Sequence, residues 1–454
     1  MEKSVETENI LLYIKIRYYR MKRVLMDSLI EWKNKSKRKP LIIHGARQVG
    51  KTWLMKEFGS LYFKDSVYIN FDNNEKLKNV FDLDYNIERI ISALKIESER
   101  NFNPENTLII FDEIQECPKA LTALKYFCES ERNFYVIAAG SLLGMALHEG
   151  TNFPVGKVDL KYLYPLSFYE FLLATKNESL AELLKGKDYD LINAYHEKYC
   201  ELLKLYYFIG GMPEAVANYI EYDDLKQVRE IQENLISYYE SDFSKHAPKE
   251  SLMRIQLVWN SVPSQLAKEN RKFIYRLIRE GARAKDFELA IQWLSDYGLI
   301  YKSYRVKKPG FPLNFYEELF CFKIFMLDVG LLAAKSKLSA KVLLEKNEIF
   351  TEFKGSLTEQ FIAQELACSR NNLYYYSNEK STAEIDFVIQ KEDIIIPIEV
   401  KAQENLKSRS LKMYCQKYSP KAALRSSMSK YRKEEWMTNV PLFLLSEYLK
   451  QFDF

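Results

Sequence analysis

The stretch Pro40–Phe58, PLIIHGARQVGKTWLMKEF, constrains this chain more than any other. Leu41–His44 is an apolar run of strand length. Gly45–Thr52 then reads G-x-x-x-x-G-K-T, and Trp53–Phe58 has the pattern of the first turns of a helix. Strand, glycine loop and helix in that order form the context a phosphate-binding loop requires. Gly45 and Gly50 allow backbone angles that a side chain would forbid. The N–H groups of the loop, from Gly45 through Ala46, Arg47, Gln48, Val49 and Gly50, can then wrap a phosphate at the positive end of the helix. Lys51 would reach the outer phosphates, and Thr52 would offer its hydroxyl to Mg²⁺. The alternative is an ordinary glycine-containing turn. It is disfavoured because each position of the motif meets its own physical requirement.

Composition sets the frame for that loop. At about 150 residues per domain, 454 residues suggest about three domains. With 47% hydrophobic and 28% charged residues, the chain can bury sizeable cores. The net charge of +4 is too close to balance to name a partner, so local clusters matter more. The six cysteines (Cys117, Cys128, Cys200, Cys321, Cys368, Cys415) include no C-x-x-C pair. That argues against a zinc ribbon or a disulfide framework and for a reducing cytoplasm. The start of the chain is acidic and lacks a long apolar core, which argues against a signal peptide. The longest apolar run, Phe134–Leu147, is broken by Gly140, Ser141 and Gly144 and is too short to span a bilayer, so no membrane partner is expected. Four widely spaced histidines make His-based catalysis or metal binding a poor fit.

Ahead of the loop, Ile10–Trp32 has helical apolar spacing and many basic residues, among them Arg23, and Lys33, Lys35 and Arg38 follow. This run could touch nucleic acid or be a solvated helix face and linker. Val67–Phe71 reads as a second strand, Tyr85–Ile96 as a helix, and Thr107–Phe111 as a buried strand ending in Asp112-Glu113. A hydrophobic strand ending in Asp-Glu is the Walker B arrangement. Asp112 would orient Mg²⁺, Glu113 would polarise the attacking water, and the strand is expected beside the first one. Tyr135–Ala139 is another strand. Ser141 at its end could sense the γ-phosphate or cap the helix that Leu142–Leu147 suggests.

Taken together, GARQVGKT, LIIFDEIQ, AAGS and YPLSFYEFL resemble the AAA+-type ATPases of bacteria and archaea that carry a C-terminal domain of unknown function. YYFIGGMPEAV, GARAKDFELAIQWLSDYGLI, KIFMLDVGLL and KGSLTEQFIAQEL fit the same family, so the resemblance runs from about Lys22 to Tyr448. It implies ATP and Mg²⁺ as cofactors. One departure stands out: the family pattern has Arg after FPVG, where this chain has Lys157. Arg there could act as a charge-neutralising finger, whereas Lys is a poorer bidentate partner for phosphate.

Ser167–Glu250 reads as helical with a break at Gly210-Gly211-Met212-Pro213, and the family uses this region as a lid. A helix at Lys272–Arg279, a second at Phe287–Asp296 and a strand at Leu299–Val306 look like a winged helix. Arg276, Arg279, Arg283 and Lys285 could meet DNA, or the module could simply pack on its neighbours. Further on, Phe353–Leu366 reads as a helix carrying Glu359. Glu384–Gln390 and Ile394–Lys401 read as a hairpin, with Pro397 suggesting an edge or a bulge. Asp386 followed by Glu399-Val400-Lys401 resembles the PD-(D/E)xK core of restriction-endonuclease-like nucleases. Glu399 and Lys401 share a strand face. Asp386 and Glu399, with Glu359 as a third carboxylate, would hold a divalent cation, and Lys401 would assist the attacking water. A charged hairpin or an inactive copy of that fold is the competing reading.

The expected architecture is α/β. An N-terminal basic helix and linker (1–38) leads to a P-loop parallel-sheet ATPase core (39–165) and a helical lid (166–250). A winged-helix-like module (251–345) and a restriction-endonuclease-like α/β domain (346–454) follow. The function expected is an ATPase coupled to a nuclease-like domain that acts on DNA or RNA, with room for homo-oligomers. The alternative is an ATP-driven regulatory switch with an inactive C-terminal fold.

Overall fold

The computed structural model describes residues 21–141, 153–267, 272–344, 351–378, 383–402 and 408–453. The chain divides into two compact units. Lys22–Tyr164 makes the first, and Pro165–Ser295 with Leu299–Phe454 makes the second.

The first unit is built on five parallel strands: β1 (Leu41–His44), β2 (Asp65–Asn70), β3 (Thr107–Asp112), β4 (Tyr135–Gly140) and β5 (Asp159–Tyr162). Their order is β2-β3-β4-β1-β5. A parallel sheet covered on both faces calls for unbroken apolar runs. LIIH, TLIIFD and YVIAAG supply them, and every residue of β3 is buried. On one face Ile42, Ile69, Ile109, Phe111 and Val136 join a single core with the helices Glu75–Leu83, Ile87–Glu97 and Pro118–Glu129. Phe71, Phe81 and Phe111 form a three-ring cluster there, with centroids 5.5–6.0 Å apart. Each such ring contributes about 1.5–3 kcal/mol when buried. β3 is not the immediate neighbour of β1 that the sequence suggested, because β4 pairs with both and lies between them.

The described part of the basic run is committed to this unit. Arg23 is buried and donates to Val49 O at 2.9 Å and to Tyr164 O at 2.6 Å. Arg38 lies 3.5 Å over the Tyr135 ring and donates to Asn133 O, while Lys35 pairs with Asp159. Trp32 donates to Lys39 O, fixing the entry to β1. These contacts tie Arg23, Lys35 and Arg38 to neighbouring segments of the same unit. The basic residues before Met21 lie outside the described residues.

The second unit begins with helices, as the sequence suggested. Ser167 and Glu170 form a reciprocal capping box at the start of Phe168–Ala174. His196–Ile209, Pro213–Tyr222 and Leu225–His246 follow. The break at Gly210-Gly211 is held by Asp328, whose carboxylate accepts from Gly211 N at 2.6 Å and caps Val329–Lys335 through Leu331 N. Gly210 has φ 73°, and a Cβ there would sit 2.2 Å from Asp328 Oδ1.

One eight-stranded sheet then runs through both segments expected to be separate modules. It comprises β6 (Ile300–Val306), β7 (Glu317–Met326), β8 (Tyr374–Ser377), β9 (Glu384–Lys391), β10 (Ile394–Lys401), β11 (Leu424–Ser427), β12 (Arg432–Lys433) and β13 (Thr438–Pro441). The order is β12-β13-β11-β10-β9-β8-β6-β7. β6 pairs antiparallel with β7 as a wing would, but it also pairs parallel with β8.

Two expectations fail here for identifiable reasons. Among residues 272–279 only Tyr275–Leu277 is helical, as a short 3₁₀ segment. Phe273 N donates to Phe322 O, and Gln265 bonds both N and O of Ile274. Backbone groups taken by a strand and a side chain cannot serve a helix. Nor is β10 an edge, since β9 flanks it on one side and β11 on the other. Pro397 is accommodated because the pairing with β11 starts only at Ile398.

Candidate functional site

The glycine loop leaves β1 and enters the helix Lys51–Tyr62. Gly50, at φ 94°, precedes the first helical residue, and Gln48 is left-handed at φ 63°. Gly45 cannot bear a side chain, because a Cβ would lie 2.2 Å from Leu163 O. Arg23 braces the loop through its bond to the carbonyl of Val49. Lys51 is buried, and its ammonium donates to Gly45 O at 2.9 Å and Ala46 O at 2.8 Å. Burial lowers Lys51 to about 8, with Glu113 and Asp112 opposing the shift and Arg47 adding to it. Its neighbour His44 falls to about 4, through burial first and the charge of Lys51 second, so it is neutral near pH 7.

Asp112 ends β3 and is buried. Its Oδ2 accepts from Thr52 Oγ1 at 2.6 Å and from the Tyr68 hydroxyl at 2.9 Å, while Oδ1 accepts from Glu113 N at 3.1 Å. Glu113 is held in the left-handed region at φ 48°, an uncommon conformation for a residue with a Cβ. Its carboxylate accepts from Gln115 Nε2 at 2.6 Å. Ser141, fully buried one residue past β4, accepts from Arg47 Nε at 3.2 Å. The helix that Ser141 was also read as capping lies outside the described residues. Lys157 pairs with Glu129 at 2.8 Å on the surface.

Sequence reading missed two contributors. Tyr68 lies in the alternating segment VYIN, where nothing local separates a site residue from a solvent-facing one. Arg23 was read as part of a basic run, although its guanidinium reaches two carbonyls distant in sequence.

In the second unit, the Asp386 carboxylate accepts from Val400 N at 2.7 Å. It thus reaches the backbone between Glu399 and Lys401, and Lys401 Nζ lies 2.9 Å from Glu399 Oε1. Asp386, Glu399 and Lys401 are therefore brought together. Glu359, on the helix Thr351–Cys368, lies 4.0 Å from the fully buried Lys323, which also bonds Glu384. Among the described residues no three His, Cys, Asp or Glu side chains converge to hold a metal ion, so Glu359 does not complete a three-carboxylate set with Asp386 and Glu399.

A glycine loop on β1, an acid at the end of β3 and β4 between them define a P-loop nucleotide-binding domain. Comparison with known families makes it more particular. Residues 37–172 match the family model described as AAA domain. Over those residues the chain is therefore similar to an AAA domain built on a P-loop. Residues 200–342 and 354–445 match two models, each described as a domain of unknown function (DUF8612 and DUF4143). An uncharacterized protein of Methanocaldococcus jannaschii is 25% identical over 394 residues, covering 82% of this chain and 77% of that protein. A second from the same organism is 27% identical over 224 residues, 46% of this chain and 44% of that protein. Among solved structures, the Walker-type ATPase of Pyrococcus abyssi aligns at 14% identity with a TM-score of 0.43, covering 68% of this chain and 94% of that one. The Aeropyrum pernix Orc1 protein in complex with DNA aligns at 14% identity with a TM-score of 0.26, covering 69% of this chain and 90% of that one. No helix among the described residues is long and apolar enough to cross a membrane.

Proposed function

We propose that the chain is a Mg²⁺-dependent ATPase whose nucleotide state acts on a second unit that engages nucleic acid. The contact between Thr52 Oγ1 and Asp112 Oδ2, at 2.6 Å, carries the ATPase half of this reading. It joins the end of the phosphate-binding loop to a buried carboxylate on another strand. Two oxygen donors of this kind suit Mg²⁺, which keeps most of its water and takes few protein ligands. When bound with ATP, Mg²⁺ would neutralise charge on the β- and γ-phosphates. Lys51 would exchange its loop carbonyls for phosphate oxygens. Gly45 through Gly50 would present backbone N–H groups. Glu113, held by Gln115, would orient the attacking water, and Ser141 with Arg47 would face the transferred group. Any finger supplied in trans would come from another copy of the chain.

For the second unit, the chain order helix Thr351–Cys368, β8, β9, β10, helix Arg409–Tyr418, β11 supports a nuclease-like fold. The gathering of Asp386, Glu399 and Lys401 supports it further. The basic residues Arg276, Arg279, Arg283 and Lys285 would add a DNA contact, and the setting would be cytoplasmic. A second reading, an ATP-driven switch with an inactive C-terminal fold, is favoured by the pairing of Glu359 with Lys323 rather than with the other carboxylates.

Purified protein with Mg²⁺ should hydrolyse ATP, and Lys51→Ala should abolish binding or turnover. Unchanged turnover in that variant would remove the P-loop assignment. Incubation with DNA and RNA in Mg²⁺ or Mn²⁺ decides the second half. Cutting that Lys401→Ala stops supports the nuclease, binding without cutting supports the switch, and neither removes the nucleic-acid reading.

A further inference from the structure

We infer that Tyr68 is a positioning residue that holds the Asp112 carboxylate in place for Mg²⁺-nucleotide when the Thr52 hydroxyl turns to the metal. The inference rests on the P-loop reading above. β2 pairs with β3 in parallel register, with Asn70 opposite Asp112 and Tyr68 opposite Ile110. Val67 and Ile69 point into the core, so Tyr68 and Asn70 lie on the other face of β2. Two residues of strand, about 7 Å, separate Tyr68 from the level of Asp112. The phenol spans that gap, and its hydroxyl reaches Asp112 Oδ2 at 2.9 Å.

The same oxygen accepts from Thr52 Oγ1 at 2.6 Å. A threonine whose hydroxyl is to ligate Mg²⁺ must give up that bond. Asp112 then keeps Tyr68 on Oδ2 and the Glu113 amide on Oδ1 as its fixed donors. The ring is fixed in turn by Lys56, from the helix that carries Thr52, whose ammonium lies 3.7 Å from its centroid.

The test is Tyr68→Phe in the full chain, read by nucleotide binding. The affinity of a fluorescent ATP analogue is measured with Mg²⁺ and with EDTA. A charge-assisted hydrogen bond lost from Asp112 should lower the Mg²⁺ enhancement by about tenfold. Binding in EDTA and the melting temperature should stay as in the wild type. In an Asp112→Asn background the same change should have no further effect. An unchanged Mg²⁺ enhancement in Tyr68→Phe would overturn the inference and leave the P-loop reading intact. An equal loss with and without Mg²⁺ would also overturn it, since that is the mark of a merely structural role. Failure of the wild type to bind nucleotide under either condition would overturn both.

Discussion

The Lys51 ammonium donates to the Ala46 carbonyl at 2.8 Å, inside the loop it serves. Buried there, it holds its proton less tightly than in the unfolded chain, at about 8 against the ordinary 10.5. Between those two values the unfolded state binds more protons, so the Lys51 contribution makes stability rise with pH across that window. Nucleotide works the other way, because phosphate favours the charged amine. Affinity for ATP should fall as pH rises through about 8, and Lys51→Met should flatten that dependence. Titrations from neutral to mildly alkaline pH check this, and tighter binding at the alkaline end would refute it.

Glu113 is aimed by Gln115 and sits in a strained backbone conformation. Glu113→Gln keeps the size and hydrogen-bonding capacity but removes the base. Turnover should fall by about a hundredfold or more while ATP stays bound. Single-turnover hydrolysis and nucleotide affinity, measured side by side, separate this outcome from a binding defect.

Arg23 joins the loop carbonyl of Val49 to that of Tyr164. Arg23→Ala leaves those acceptors in a partly buried place, at a cost of about 1–3 kcal/mol. Both melting temperature and nucleotide affinity should drop. Arg23→Lys should rescue poorly, because one ammonium cannot reproduce the fork. Full rescue by lysine would show that only the charge matters.

Gly330 lies so close to the helix His196–Ile209 that a Cβ would meet Ile209 O at 2.6 Å and Gly210 N at 2.7 Å. Both are backbone atoms and cannot swing aside. Gly330→Ala should destabilise by about 1–3 kcal/mol, seen as a lower denaturation midpoint of the second unit. ATP binding by the first unit should persist.

Lys323 is fully buried against Glu359 and Glu384. Lys323→Met removes a buried cation and should cost about 3–5 kcal/mol. Adding Glu359→Gln should recover part of that loss. Additive destabilisation in the double variant would mean that the two residues do not compensate each other.

Much of this molecule was legible from short-range pattern. The apolar runs placed β1 and β10 at their observed limits, and the acid pair after TLIIF marked the site end of β3. The glycines of GARQVGKT implied the positive φ found at Gly50. The IEVK pattern and Asp386 were also read together, since a hairpin register follows from a tight turn.

What stayed hidden depends on strand order and on partners far along the chain. Nothing in YVIAAG says that it inserts between the strands of Leu41 and Thr107, nor in VYIN that Tyr68 points at Asp112. The segment before Arg279 carries helical spacing, yet Gln265 and Phe322 claim its backbone. Pro397 reads as an edge signal until the stagger of β11 is known. Sequence alone determined the strand–glycine loop–helix order around Gly45–Thr52 and the limits of β1 and β10, because turn geometry and side-chain periodicity act over a few residues. Tertiary structure alone decided which side chains share an oxygen of Asp112 and which cation faces Glu359, because sheet order and buried-charge pairing are settled only when distant segments compete for the same space.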